Sequence, residues 1–449
     1  MEWSPIGIWR WLWQGFMHTS ILTGWLPLTL EVVTVIMVVA SIHWRARHEL
    51  RRLVIGAIIS IVVVASIAVI SIWTGLVHAN IPPWPYVWGG VAVLALWITI
   101  NEWKTAEEWR RVTSVTSIIL ALVCTLGAIN VYTETFITVY RLGSGQPENV
   151  LNLPGLDALK QQVAQTGKLP TNGVVVVTTI PPLISNFQTR QAYIYLPPAW
   201  FAKNSAPLPT LVLLPGEPGG AADWSSSGDA DTTANAFAKT NGGVTPILIM
   251  PDSNGIKTVD SECVNSQFGN AETYLAKDIP NYAHAVLGAS RAPGSMAIAG
   301  LSAGGTCSMI LALDYPDVYP TFASYSGFEA PQYENDTVQQ TVSILFGGSQ
   351  SSYENHSPLQ VLQSSPNGYS GSAGWFQAGS GDAPTVAAAK ALRPAATKAG
   401  MATCFLISPG GHDFLFWAGA FHTSLPWISW RLGLLADKPD TSPATCTNP

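Results

Sequence analysis

Residues 296–316 read MAIAGLSAGGTCSMILALDYP and centre on Gly300-Leu301-Ser302-Ala303-Gly304. A serine between two such glycines, with a short apolar run before it and a helical run after it, fits the strand–turn–helix context of the G-x-S-x-G nucleophile turn. A serine hydroxyl attacks poorly unless a base removes its proton, and that base needs a carboxylate to orient it. On such a turn the partners follow in chain order, acid first and histidine last. Four histidines lie beyond residue 140: His284, His356, His412 and His422. His284 precedes the serine in a helical stretch, His356 sits in a polar loop, and His422 falls in the helical run FWAGAFHTSLPW. His412, in ISPGGHDFLFW just after a buried-strand pattern, is the expected base.

Asp382 is the expected acid, because it ends GWFQAGSGD, a strand followed by a small-residue loop upstream of His412. Glu354 and Asp413 are the alternatives, while Asp314 and Asp317 flank Pro316 and read as helix-end residues. The negative oxygen of a tetrahedral intermediate needs two preorganised N–H donors. Ala303, after the nucleophile, supplies one. Glu217 is expected to supply the other through its backbone, since Gly216 lets the chain turn sharply after LVLLP; a plain turn is the alternative. Five cysteines are present, and four of them (Cys263, Cys307, Cys404, Cys446) follow the apolar first third. Of the three possible pairings, Cys263 with Cys307 and Cys404 with Cys446 are expected, against reduced core thiols. No C-x-x-C or H-x-x-x-H spacing occurs, so neither a metal nor a cofactor is expected.

These residues must be held by a scaffold. After the polar stretch RLGSGQPEN come short β-branched runs: GVVVVTTI, QAYIYLPP, LPTLVLLPG, TPILIMPD, SMAIAGLS, TFASYSG, GWFQAGSG and ATCFLISPGG. Continuous apolar runs of this length suit strands buried on both faces. Helix-compatible segments at 270–287, 306–315 and 383–399 alternate with them, which predicts a mainly parallel sheet covered by helices.

The first third has a different character. The whole chain of 449 residues is 48% hydrophobic and only 11% charged, against about a quarter charged in ordinary soluble domains. Four apolar stretches, at about 25–44, 53–73, 86–103 and 112–132, approach or reach the roughly 20 residues a membrane helix needs. Trp25, Trp44, Trp73, Tyr86, Trp103 and Tyr132 mark their ends, as interfacial aromatics do. The connections RARHELRR and KTAEEWRR hold the basic residues and should stay cytoplasmic, whereas TGLVHANIPPWP has no Lys or Arg. This topology places the N-terminus and everything after Tyr132 outside the cytoplasm, with the Trp-rich IGIWRWLW resting in the interface. The expected organisation is a four-helix transmembrane domain over 1–140, a linker over 141–171 and an extracytoplasmic domain over 172–449. A formal net charge of −6, with the acidic excess after Tyr140, leaves no basic surface for nucleic acid. The oligomeric state is left open by the sequence.

Taken together, RQAYIYLPPAW, LPTLVLLPGEPGG, Trp224, ILIMPDSNG, GNAETYLAKDIP, IAGLSAGG and PGGHDFLFW resemble the esterase D type of α/β-hydrolase, a group that includes the secreted mycolyltransferases of mycobacteria. The resemblance spans roughly 172–434, and the four apolar stretches make the chain similar to membrane-anchored actinobacterial esterases. It implies an α/β-hydrolase domain behind an all-α four-helix transmembrane domain. It also puts Ser302, Asp382 and His412 on the triad positions, and Glu217 with Ala303 on the oxyanion positions. Pro215 stands where many relatives carry His or Asp, which bears on loop contacts and substrate preference. The activity implied is ester hydrolysis through an acyl-enzyme, and tethering at the bilayer makes a lipid-borne ester, an aminoacylated phospholipid for example, the expected substrate. Transfer of the acyl group to a sugar or lipid hydroxyl is the alternative, and a non-catalytic membrane scaffold is the second.

Overall fold

The computed structural model describes residues 16–17, 19–22, 24–44, 49–73, 83–133, 136, 139, 142, 150–203, 205–255, 259–334 and 336–447. The basic turn at 45–48, the loop at 74–82 and the Trp-rich segment at 6–13, on which the topology reading drew, lie outside the described residues. The chain divides into two compact units, Met1–Gly145 and Gln146–Pro449.

The first unit contains α1 (Trp25–Ser41), α2 (Glu49–Trp73), α3 (Trp84–Glu102) and α4 (Glu108–Thr133). The last three are long and apolar enough to cross a membrane. The first is shorter than the expected 25–44. It has 17 residues, since Ile42 turns extended (φ −71°, ψ 134°) and ends the helix. At 1.5 Å per residue α1 reaches about 26 Å, against roughly 30 Å of hydrocarbon. Small residues let the helices approach closely: Ala95 and Ala121 are fully buried, and a Cβ on Gly56 would strike the Trp97 ring. Large apolar side chains such as Ile61, Ile100 and Leu126 point outward, each about two-thirds exposed. That inside-out arrangement suits helices whose solvent is lipid.

The second unit is built on one large, mainly parallel sheet. Its main strands are β1 (Val174–Thr178), β2 (Ala192–Leu196), β3 (Thr210–Leu214), β4 (Ile247–Met250), β5 (Met296–Leu301), β6 (Thr321–Tyr325), β7 (Ala373–Gly379) and β8 (Ala402–Ser408). They lie in the order β1-β2-β4-β3-β5-β6-β7-β8, with only β2 antiparallel to its neighbours. Val150–Leu151 extends the β1 edge and Thr445–Cys446 the β8 edge. The stretch 150–166, read above as linker, thus contributes an edge strand and a helix (Leu153–Thr166) to this unit.

The helices used below are α5 (Ala230–Thr240), α6 (Ala303–Asp314), α7 (Val338–Leu345), α8 (Gln350–Asn355), α9 (Ala383–Lys398) and α10 (Phe414–Arg431). Side chains alternate along each strand, so Val212, Ile298 and Phe322 pack on one face with Met309 of α6 and Leu392 of α9. Leu211, Ala299 and Ala323 pack on the other with Ala234 of α5 and Phe421 of α10. Both faces are covered, and this explains why the strands read as continuous apolar runs. Leu214 pairs with Gly300, Leu301 with Tyr325 and Gly379 with Ser408, so the loops after β3, β5, β7 and β8 leave one edge of the sheet together.

Candidate active site

The turn from β5 into α6 holds Ser302 at φ 54°, ψ −123°, a positive φ that non-glycine residues adopt only where the surroundings enforce it. The enforcement comes from packing. A Cβ on Gly300 would collide with the Gly304 carbonyl, and one on Gly304 with the carbonyl oxygens of Leu214 and Pro215. Only glycine permits strand and helix to meet so closely. The Ser302 N–H donates to the Tyr325 carbonyl at 2.9 Å, tying the turn to β6.

Ser302 Oγ lies 2.8 Å from His412 Nε2, and His412 Nδ1 lies 2.7 Å from Asp382 Oδ2. Burial alone would raise the Asp382 carboxyl, but its hydrogen bonds from His412 and from Thr385 outweigh that and hold it below the ordinary aspartate value. An ionised carboxylate only accepts, so Nδ1 carries the imidazole proton and Nε2 is free to accept from the serine hydroxyl. Thr385 Oγ1 donates to the same Oδ2 at 2.5 Å from the first turn of α9. The imidazole sits with its edge against Trp417 at 5.0 Å and tilted against Phe328 at 6.1 Å between ring centres. Thr385 and Phe328 were not anticipated; Thr385, three residues past Asp382 on the following helix, has a local signal, and Trp417 closes the run PGGHDFLFW that carries His412.

The loop after β3 runs directly beside Ser302. A Cβ on Gly216 would lie 3.2 Å from Ser302 Cβ. Among the described residues the N–H of Ala303, first in α6, has no protein acceptor, as at any helix start. Arg190 fastens the loop through Nη2, which donates to Gly219 O at 3.1 Å and to the buried Asp252 Oδ1 at 2.7 Å. Asp223 Oδ2 accepts from Gly220 N at 2.8 Å, and the Trp224 indole donates to Leu214 O at 2.8 Å. The Glu217 side chain accepts from Asn254. Burial, with repulsion from Asp260 and Glu334 added, pushes the Glu217 carboxyl up to about 7 against the pull of Arg190. Burial likewise raises Asp260, and lifts fully buried Glu262 well above the usual range with Asp260 and Glu217 adding to it. Neither the Arg190 clamp nor this acidic wall was anticipated, since single charged residues in separate loops form no local pattern.

None of the other candidates is brought to Ser302. His422 is exposed on α10, His284 lies on the helix Ile279–Ala285, and His356 faces Glu272 and Asp314. Asp413 caps α10, accepting from Phe416 N at 2.8 Å, and Glu354 accepts from Gln350 at 2.9 Å. Disulfides join Cys263 to Cys307 and Cys404 to Cys446. The first ties the loop that carries Asp260 and Glu262 to α6, and Cys124 stays a buried thiol in α4. A cavity of about 490 Å³ opens beside the relay, lined by Phe328, Pro331, Val338, Tyr353, Pro384 and Ala388 among others. The arrangement can deprotonate a serine hydroxyl at a carbonyl bound against the loop, with Phe328 shared between imidazole and cavity.

Residues 187–437 match the family model described as "Putative esterase". An uncharacterized protein of Corynebacterium glutamicum is 34% identical over 401 residues, covering 85% of this chain and 90% of its own length. Among solved structures, a ferulic acid esterase superposes with a TM-score of 0.51 at 18% identity, over 58% of this chain and 98% of that one. An S-formylglutathione hydrolase from Agrobacterium tumefaciens gives 0.49 at 16% identity, over 59% and 98%. At such identities the ferulic acid esterase speaks to the fold, which is that of an α/β-hydrolase.

Proposed function

The chain belongs to the esterase family and is a carboxylic-ester hydrolase, and from that premise we propose that Ser302, His412 and Asp382 are its catalytic triad. The observation that carries this is the relay itself: a serine forced to positive φ, 2.8 Å from an imidazole that is in turn 2.7 Å from a carboxylate. Ser302 Oγ attacks the ester carbonyl as His412 Nε2 takes its proton. The oxyanion is received by the N–H groups of Ala303 and Glu217, and Asp382 steadies the imidazolium. Collapse of the tetrahedral intermediate sends the Nε2 proton to the departing alcohol and leaves the acyl group on Ser302. Water, deprotonated by the same imidazole, then releases the acid.

The substrate in this reading is an ester of a membrane lipid, of the aminoacylated phospholipid class, met at the extracytoplasmic face. Three observations support it. Helices able to cross a bilayer would fix the chain to a membrane, and two disulfides suit an oxidising compartment. Carboxyls of Glu217, Asp260, Glu262 and Glu334 gather beside the oxyanion loop, and Glu262 Oε2 is buried without a hydrogen-bond partner among the described residues. An aminoacyl ammonium entering there would offset their mutual repulsion.

The test uses the full chain in detergent. A fluorophosphonate probe should label the native protein and not Ser302→Ala; an unlabelled native protein removes the catalytic assignment. Vesicles with alanyl-phosphatidylglycerol should release alanine more than ten times faster than neutral acyl esters of the same lipid release fatty acid. Equal rates would remove the cationic preference, and alanine recovered on an added hydroxyl acceptor rather than in water would make the enzyme a transferase.

A further inference from the structure

Away from the relay, three side chains that the mechanism does not use converge on one point. Glu272 comes from the turn Ala271–Thr273, Asp314 is the last residue of α6, and His356 follows α8. His356 Nε2 lies 3.6 Å from Glu272 Oε2 and 3.9 Å from Asp314 Oδ2, and one donor atom of each residue falls within 4.8 Å of the others. Around a tetrahedral ion with bonds of about 2.0–2.2 Å, donor atoms stand roughly 3.4 Å apart. Rotamer adjustments of well under an ångström at the His356 contacts would reach that spacing.

The supporting contacts are of the kind that aim ligands. His356 Nδ1 lies 2.7 Å from the Ser352 carbonyl, so a proton on Nδ1 leaves the Nε2 lone pair facing the two carboxylates. The Tyr315 hydroxyl donates to Glu272 Oε1 at 2.6 Å and leaves Oε2 turned inward. A ligating histidine that donates its other N–H to a carbonyl, beside a carboxylate held by a hydrogen bond, is the usual outer shell of a metal site. The ion would also stand at the C-terminal end of α6, where the helix dipole favours positive charge. The three side chains are 13–26% exposed, so an ion can enter from solvent.

We propose that Glu272, Asp314 and His356 bind one divalent transition-metal ion of the Zn²⁺ class, with water completing its coordination. One imidazole among two carboxylates selects such an ion over Ca²⁺ or Mg²⁺, which favour all-oxygen sets. Asp314 lies twelve positions beyond Ser302, about 18 Å along the axis of α6. The ion therefore binds three elements of the catalytic unit together and takes no part in the chemistry.

The experiment strips the full-length, detergent-solubilised protein with chelator and dialyses it against Zn²⁺, then against Co²⁺. One equivalent of Zn²⁺ is expected, with a higher Tm and, for Co²⁺, visible ligand-field bands; Mg²⁺ at equal concentration should do neither. His356→Ala and Asp314→Asn should lose the equivalent and the bands while fluorophosphonate labelling of Ser302 stays native, which reports an intact fold. Tyr315→Phe, which leaves every ligand in place, should weaken Zn²⁺ about 10–100-fold. A native protein that binds no equivalent has only an ion pair between His356 and the carboxylates, and the proposal falls. It falls equally if His356→Ala and Asp314→Asn bind as the native protein does.

Discussion

Asp382→Asn is the sharpest perturbation of the relay, because it changes hydrogen-bond direction with little change of shape. The native carboxylate accepts from His412 Nδ1 at 2.7 Å and from Thr385 Oγ1 at 2.5 Å on the same Oδ2. If the asparagine amide nitrogen takes that position, it offers a proton where the imidazole also offers one. The conflict is relieved when Nδ1 gives up its hydrogen and Nε2 takes it, so that Nε2 donates to Ser302 Oγ and can no longer accept from it. In a serine–histidine–carboxylate relay the wrong tautomer lowers kcat by about 10⁴, or about 5.4 kcal/mol in the barrier. Ground-state contacts are untouched, so KM should stay within a few-fold. The assay is steady-state hydrolysis of a p-nitrophenyl ester, with near-ultraviolet circular dichroism to verify the fold. A kcat loss below tenfold would mean that another group orients His412, and the assignment of Asp382 would fail. Asp413→Asn is the control: Asp413 caps α10, and asparagine caps about as well as aspartate, so kcat should hold.

Further outcomes follow from the same geometry. Thr385→Val removes one donor from an ionised carboxylate, an interaction of about 1.5–3 kcal/mol. Because the folded-state Asp382 carboxyl lies below its ordinary value, its stabilisation is present above the unfolded pKa and is lost as pH falls through the folded one. The Tm gap between native and variant should therefore be full at pH 7 and close in acid. Glu217 behaves oppositely: its folded value of about 7 exceeds that of a free glutamate, so native stability should decline as pH rises from about 4.5 towards 7. Glu217→Gln should flatten that decline in thermal melts between pH 4 and 8, and an unchanged slope would refute the burial argument. Gly304→Ala forces a methyl group against the Leu214 and Pro215 carbonyls; overpacking of this kind costs about 1–3 kcal/mol, and denaturant midpoints should show it together with slower fluorophosphonate labelling.

Much of the scaffold was legible because burial on both faces leaves a plain trace. Seven of the eight main strands fall wholly inside an apolar run of the sequence, β7 overruns its run only by Ala373, and Gly300 and Gly304 bracket Ser302 in a pattern that few backbones need. Val150–Leu151 escaped notice because two residues carry no periodicity, and they pair with β1 only once the sheet exists. The end of α1 at Ser41 was missed because Ile42, apolar and helix-compatible by composition, adopts an extended backbone. The charged groups were least legible. Arg190, Gly219 and Asp252 come from three loops, and Glu272, Asp314 and His356 are far apart in the chain. Spacing rules register ligands that share a turn or a helix, and these share only a fold.

Gly216, Gly300 and Gly304 have one further consequence. Gly304 meets the Leu214 and Pro215 carbonyls backbone to backbone, and Gly216 lies against Ser302 Cβ and the Leu301 side chain, so the Ser302 turn and the loop after β3 approach one another through glycines. A side chain at Gly300 or Gly304 would strike backbone, so those two positions fix the approach of turn and loop. Selectivity has to be adjusted elsewhere, and the region between β6 and β7, which supplies Phe328, Val338 and Tyr353 to the cavity, can change without disturbing that approach. Substitutions there would reshape the cavity while the glycine contacts of the turn stay as they are.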